Sequence, residues 1–449
     1  MNDPMNRLTP EDDLQLKTHS ILPNLMTPQG VWVFDEPLPK ETWIRVNEHL
    51  AAGFGSRRVR RTRIPFARDW WDTPLRTHPV DFDDRPVPEN GYLDWIWEKG
   101  EVDLDPYEGS VYRLSVSPTA AGGQIISYVV SHVVLDGLGG ILAVGDTVAR
   151  MDSDAPPSRT ESAGRLVGTT PAQRRRRAHL ADARGQLKEA GRGMRQAWGA
   201  RKVKLRPRNP RPELPRLPLG NRWIPSVTMA EISMAEWNRV AAERGGTVNA
   251  LYIGVLVGLY GRIGRVSDGD EVCVVVPHST RVDMEDPRGN ALSSKAIWVT
   301  YREGTKTDLG EIRRALKASL SESDVENKPA AAYLGAITQM APQFLVPIAA
   351  KSTKSPELLC SNLGNLPQVV AGIQGKRAKV AFGLRMAATD PDNYRRWEAG
   401  LMCLCGNDGE TMIMQIAGLD PDRFPTRESL EKLVVEEFNE WGLHPTFWG

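Results

Sequence analysis

The stretch Ser131-His132-Val-Val-Leu-Asp136-Gly137-Leu-Gly-Gly140 holds the residues best suited to chemistry, and it follows an apolar run at residues 126–130. His132 would sit where a strand ends, and a near-neutral imidazole there suits a general base that takes a proton from a hydroxyl or an amine. Asp136, at a turn into a helix N-terminus, could fix the loop or the ring by accepting hydrogen bonds. The glycines permit a tight turn and close backbone packing. The same spacing also suits a buried histidine tied to a neighbouring carboxylate for structure alone. A serine-hydrolase dyad is disfavoured, because consecutive strand residues face opposite ways and Ser131 Oγ would point away from His132. There is no G-x-S-x-G elbow, Gly53-Phe-Gly55 lacks a third glycine, and Gly372-Ile-Gln-Gly375-Lys376 lacks phosphate-loop spacing.

Metal and disulfide chemistry find little support. The four cysteines include no C-x-x-C pair. Cys403 and Cys405 share one strand face, which suits core packing. A reducing, cytoplasmic compartment is expected. The N-terminus has no apolar segment behind a basic start, and the longest uncharged stretch, residues 329–350, is broken by Pro342 and Pro347, so no membrane span is expected.

The elements that would position this chemistry are of both kinds. Residues 8–16 read as a helix start, with Thr9 as cap, Pro10 in the first turn and acids behind it. Residues 126–132 read as a strand and 139–151 as the helix after it. Residues 234–244 read as a helix, and 247–263 as one that is apolar nearly all round and therefore buried. A strand is expected at 271–277, and a hairpin at 401–405 and 411–417 around Gly406-Asn-Asp-Gly409. The pattern is α/β with two lobes.

The length of 449 residues, with 41% hydrophobic and 25% charged, fits two packed domains. The net charge of +1 hides a local +12 between Arg174 and Arg211, where fourteen Lys/Arg face only Asp182 and Glu189. Leu180, Leu187, Met194 and Trp198 form a narrow apolar stripe there, and residues 207–215 are too rich in proline to continue a helix. The expected division is therefore residues 1–170, a basic crossover at 171–217, and 218–449. The basic segment 174–211 suits a solvated face, peripheral contact with anionic lipid, or attraction of an anionic donor. Nucleic acid is disfavoured, because the rest of the chain is net acidic. The tryptophans, including Trp70-Trp71 and Trp95-Ile-Trp97, suit core positions or the lining of a tunnel.

His132-x-x-x-Asp136-Gly137 resembles the motif of the CoA-dependent acyltransferase superfamily, which includes chloramphenicol acetyltransferase, condensation domains, plant HxxxD acyltransferases and wax ester synthase/diacylglycerol acyltransferases. Thr247-Val-Asn249, the strand ending Pro277-His-Ser-Thr-Arg281 with Gly289-Asn290 after it, and Ser361-Asn362-Leu-Gly364 resemble elements of the last branch, in its order. The resemblance implies two chloramphenicol-acetyltransferase-like α/β sandwich lobes forming a pseudo-dimer with a tunnel between them. His132 would act as base on an alcohol or amine acceptor that attacks an acyl-CoA thioester directly. Acyl-CoA is then a co-substrate, and no bound cofactor or metal is implied. Asp136 would be structural, paired with an arginine from the other lobe, for which Arg281 is the candidate. Asn362, Asn290 or backbone near Gly364 would serve the oxyanion or tie turns together. Ser131 replaces the first of two usual histidines, Ala250 an expected aspartate, and His278 a small apolar residue. His278 reads as a satisfied polar residue at a strand end rather than a second base. Rival readings are a condensation-type enzyme using carrier-bound thioesters and a silent acyl-ligand-binding relative.

Overall fold

The computed structural model describes residues 7–157, 172–199, 215–283, 286, 288–304, 306, 308–321, 335–341 and 355–449. In the first half the order is α1 (Pro10–Ile21), β1 (Met26–Phe34), α2 (Lys40–Ala52), β2 (Arg58–Arg60), β3 (Trp70–Asp72), β4 (Asp81–Phe82), α3 (Tyr92–Gly100), β5 (Tyr112–Pro118), β6 (Gln124–Val130) and α4 (Gly137–Asp152). Next come α5 (Ala172–Gly199), β7 (Ser226–Ser233), α6 (Met234–Glu243), α7 (Val248–Arg262), β8 (Glu271–Ser279), β9 (Leu292–Thr300), α8 (Leu309–Ser321) and α9 (Gly335–Met340). The chain closes with β10 (Leu358–Asn365), β11 (Gly372–Ile373), β12 (Lys376–Arg377), β13 (Lys379–Met386), α10 (Pro391–Trp397), β14 (Leu401–Asn407), β15 (Thr411–Gly418), α11 (Arg427–Trp441) and β16 (Thr446–Phe447).

Two large sheets organise the molecule, in strand orders β13-β1-β6-β5-β4 and β16-β7-β15-β14-β10-β8-β9. On one face of the first sheet, Trp43, Val46 and Leu50 of α2 and Ile141 and Met151 of α4 pack with Trp32, Leu114 and Ile126. The second sheet buries the mostly apolar α7, whose Leu251, Val255 and Leu259 are fully covered with Trp237, Phe438 and Trp441. Each such large side chain contributes about 1.5–3 kcal/mol by leaving water. Cys360, Cys403 and Cys405 belong to this core, and all four cysteines are free thiols. The fold is thus α/β with two sheet-and-helix lobes.

The lobes do not divide cleanly at residue 218. β13 leaves the second half and pairs antiparallel with β1, from Met26 opposite Met386 to Val33 opposite Lys379. It becomes the edge strand of the first sheet, so the boundary of 218–449 is crossed by one whole strand. The physical reason is that β1 needs a partner on the edge that β6 leaves open.

The basic crossover is helical over 172–199, and most of the proline-rich stretch at 207–215 lies outside the described residues. Its apolar stripe is not the face that packs: Leu180, Leu187, Met194 and Trp198 are exposed, whereas Ala183, Gln186 and Ala190 are buried. Small residues let the helix approach the first half closely, and Asp182 fastens it by accepting from the Arg68 backbone N–H at 2.7 Å and its guanidinium at 2.7 Å. Among the described residues no helix is long and apolar enough to cross a membrane.

Candidate active site

His132 sits two residues past the end of β6, which runs into a turn and then α4. Asp136 is the N-cap of that helix, its Oδ1 accepting the Gly139 N–H at 2.7 Å. Its other oxygen accepts from Arg281 Nη1 at 3.0 Å and from the Ala291 N–H at 2.8 Å. Asp136 is fully buried, and its carboxylate is occupied by the helix, by Arg281 and by the segment after β8. Arg281 also donates to the carbonyls of Arg288 and Gly289, at 3.0 and 2.9 Å, and so ties residues 288–291 onto the turn. Space around this junction demands glycine twice. A Cβ on Gly139 would lie 2.7 Å from the Gly289 carbonyl, and one on Gly289 would run into the Val134 carbonyl and the Arg57 guanidinium.

The imidazole itself opens into a cavity of about 470 Å³ between the two sheets. Tyr128, Phe382 and Leu384 line it from the first sheet, and Leu359, Met402 and Leu404 from the second. Burial lowers the His132 pKa below its ordinary 6.5, opposed by the Asp136 charge and the Asn290 amide, so the ring is held neutral at pH 7. Its Nδ1 is buried without a hydrogen-bond partner among the described residues. A neutral imidazole at the wall of a mostly apolar chamber can accept a proton from a bound hydroxyl or amine.

The other residues singled out from sequence fall around it in different ways. Gly137, His278, Asn290 and Asn362 all line the same cavity. Ser131 does not: it is buried, its Oγ accepting the Val133 N–H at 3.4 Å, and it faces a small recess under α1. Asn290 is held from below, its amide donating to Asp12 Oδ1 and to the Val133 carbonyl, both at 3.0 Å. Asn362 bridges two sequence elements, donating to Asn249 Oδ1 at 2.6 Å and accepting the Gly364 N–H at 2.7 Å. The Gly364 amide is therefore spent inside its own turn. His278 differs from the expectation of a satisfied polar side chain: its Nδ1 is buried without a partner among the described residues, because β8 ends at the cavity rather than against polar packing. No tryptophan lines this chamber; Trp70, Trp71 and Trp95 are buried elsewhere, and Trp97 lines a different cavity.

Sequence reasoning missed the layer beneath the turn that carries His132. Asp12, expected only to favour the α1 N-terminus, completes a capping box with Thr9 and also accepts from Trp71 Nε1 at 3.3 Å. Burial pushes its carboxyl up, against the lowering effect of nearby Arg57. Arg57 is wholly enclosed, stacks 4.0 Å from the Trp71 ring centroid and donates to the Val134 carbonyl at 3.0 Å. Burial brings its pKa down to about 10. The available signal was three acids in the first turn of α1, where a cap needs only one. Among the described residues no cluster of His, Cys, Asp and Glu has the makings of a metal site.

No family model matches the sequence, and no curated protein matches it. Solved structures do. The first condensation domain of the CDA synthetase superposes with a TM-score of 0.59 at 12% identity, covering 96% of each chain. A mutant starter condensation domain of rhizomide synthetase, in complex with C8-CoA, gives 0.59 at 8% identity over 97% of this chain and 94% of its own. Polyketide synthase associated protein 5 from Mycobacterium tuberculosis gives 0.55 at 12% identity over 97% and 98%. The chain therefore has the two-lobed fold of the condensation domains, over almost its whole length.

Proposed function

We propose that this protein is an acyltransferase that moves an acyl group from a thioester donor, acyl-CoA, to a hydroxyl or amine acceptor. The observation that carries the reading is a neutral His132 opening into an apolar chamber while Asp136 is turned away and held by Arg281. His132 takes the acceptor's proton as its oxygen or nitrogen attacks the thioester carbonyl. The tetrahedral intermediate collapses with cleavage of the C–S bond, and the imidazolium returns the proton to the departing thiolate, so no acyl-enzyme is formed. Asn362 spends one amide N–H on Asn249, and the second supports a role as donor to the oxyanion. His278, unpartnered in the same chamber, supports a role in orienting the acceptor. Asp136, Gly137 and Arg281 hold the turn.

The apolar lining favours a fatty or otherwise aliphatic acyl chain, in keeping with the wax ester synthase/diacylglycerol acyltransferase resemblance and an O-acyl product. The outward stripe of Leu180, Leu187, Met194 and Trp198, between basic residues, favours peripheral contact with an anionic lipid surface. Incubating the protein with acyl-CoAs of graded chain length, with and without alcohols and amines, and reading free thiol tests the assignment. Acceptor-dependent thiol release is expected. Turnover only with acyl groups on a carrier protein would move the assignment to the condensation-type reading, and no turnover with either donor would leave a ligand-binding relative.

A further inference from the structure

A second cavity, of about 250 Å³, lies behind the first sheet. Strand alternation separates the two chambers. Gly30, Tyr128, Phe382 and Leu384 face the His132 chamber, while Val31 and Arg385 face the other, and Gln29 and Gly383 border both. Leu93, Ile96 and Trp97 of α3 form one wall and Val227 and Met229 of β7 another.

The lining of this cavity carries a buried guanidinium with no hydrogen-bond acceptor among the described residues. Arg385 is 6% exposed and stacks 4.7 Å from the Trp97 ring centroid. Among the described residues it has no hydrogen-bond acceptor, and its Nε is buried and orphaned. Trp97 Nε1, in the same lining, is also buried without a partner among the described residues. Gln29 Nε2 donates to the Ile96 carbonyl at 2.9 Å and to Ser127 Oγ at 2.8 Å, and Gln415 holds both backbone groups of Leu384. In the lining Arg427 pairs with Asp94 at 2.7 Å, and outside it Glu101, the acid whose charge reaches Arg385, is paired with Arg222 at 2.6 Å. A buried guanidinium without a partner is costly, and an anion placed against it relieves that cost. A buried guanidinium with no hydrogen-bond acceptor among the described residues matches an anion, the planar fork of arginine matches a carboxylate, and the walls match hydrocarbon.

We propose that this cavity is a binding site, separate from the His132 chamber, for a small monocarboxylate with an apolar body, whose carboxylate is forked by Arg385 and whose hydrocarbon lies against Trp97, Leu93 and Met229. The site does not depend on what His132 does.

Titration calorimetry on the full chain with hexanoate, hexanamide and inorganic phosphate tests it. Hexanoate is expected to bind at one site per chain, with hexanamide and phosphate at least about tenfold weaker. Arg385→Gln should weaken hexanoate by about tenfold or more, and Arg385→Lys, which keeps the charge but loses the fork, should also weaken it. If Arg385→Gln fails to fold by circular dichroism, Arg385→Lys decides. Equal binding of hexanoate and hexanamide, phosphate binding as tight as hexanoate, no hexanoate heat up to about 10 mM, or affinity unchanged in the Arg385 variants would each overturn the proposal. So would a loss caused by His132→Ala and not by the Arg385 changes, which would move the ligand to the other chamber. A failed acyltransfer assay alone would leave this site standing.

Discussion

Among the described residues no carboxylate hydrogen-bonds His132 as in a catalytic triad, because Asp136 spends both oxygens on α4, Arg281 and Ala291. The ring's basicity is set by burial, which keeps it neutral below its ordinary pKa of 6.5. A base must be unprotonated to work, so the acid limb of kcat/KM should fall with an apparent pKa below 6.5; a limb above that value would mean that another group titrates. Stability has the same sign: the unfolded histidine takes up a proton near 6.5 while the folded one does not, so this contribution is lost as pH drops from there toward the folded pKa. Asp136→Ala should cost about 3–5 kcal/mol in urea unfolding, because it leaves the buried Arg281 charge unpaired. A loss under about 1 kcal/mol would mean that the pair is solvated. His132, Asp136 and Gly137 stood out by type and spacing in one short segment, whereas Arg281, Asn290 and Asn362 were singled out only through the resemblance to the acyltransferase motifs. Asp12 and Arg57 were not, since what makes them matter is Trp71 and Asn290, which are remote in sequence and meet them only after folding.

At the scale of elements, local signals served well where the element is governed by its own residues. Thr9 caps α1, α7 is buried nearly all round, and β14 and β15 form the expected hairpin. They served poorly where a neighbour decides. β13 carries Gly383 and Arg385 within an otherwise apolar run, so its pairing is set by the open edge of β1 rather than by its own pattern. Helix α5 inverts the usual rule, burying alanines and exposing its large apolar residues. Sedimentation with anionic vesicles tests the reading of that face. The protein should co-sediment, less so at high salt, at about 1 kcal/mol per basic residue near the surface, and Leu187→Glu with Trp198→Glu should abolish it. Wild-type protein that stays in the supernatant at low salt would remove lipid as the occupant.

At the scale of the molecule, β13 ties the two lobes together through one strand, and they are expected to fold as one unit. A fragment of residues 1–217 lacks the strand that covers β1 and would expose that whole edge. Expressed alone, it should be insoluble or aggregated, and the intact chain should melt in one transition; a monomeric, cooperatively folded fragment would contradict this. The two-lobed α/β class was legible from the alternation of strand and helix patterns, whereas the chamber between the sheets exists only once β13 is in place, since Phe382 and Leu384 help to wall it. The central claim is that one imidazole at that wall moves the proton. Acceptor-dependent thiol release from an acyl-CoA by His132→Ala, compared with the wild type at saturating acceptor, measures it most directly. The account predicts a fall of about 10²–10⁴-fold with the fold intact by circular dichroism. Turnover equal to the wild type would contradict it.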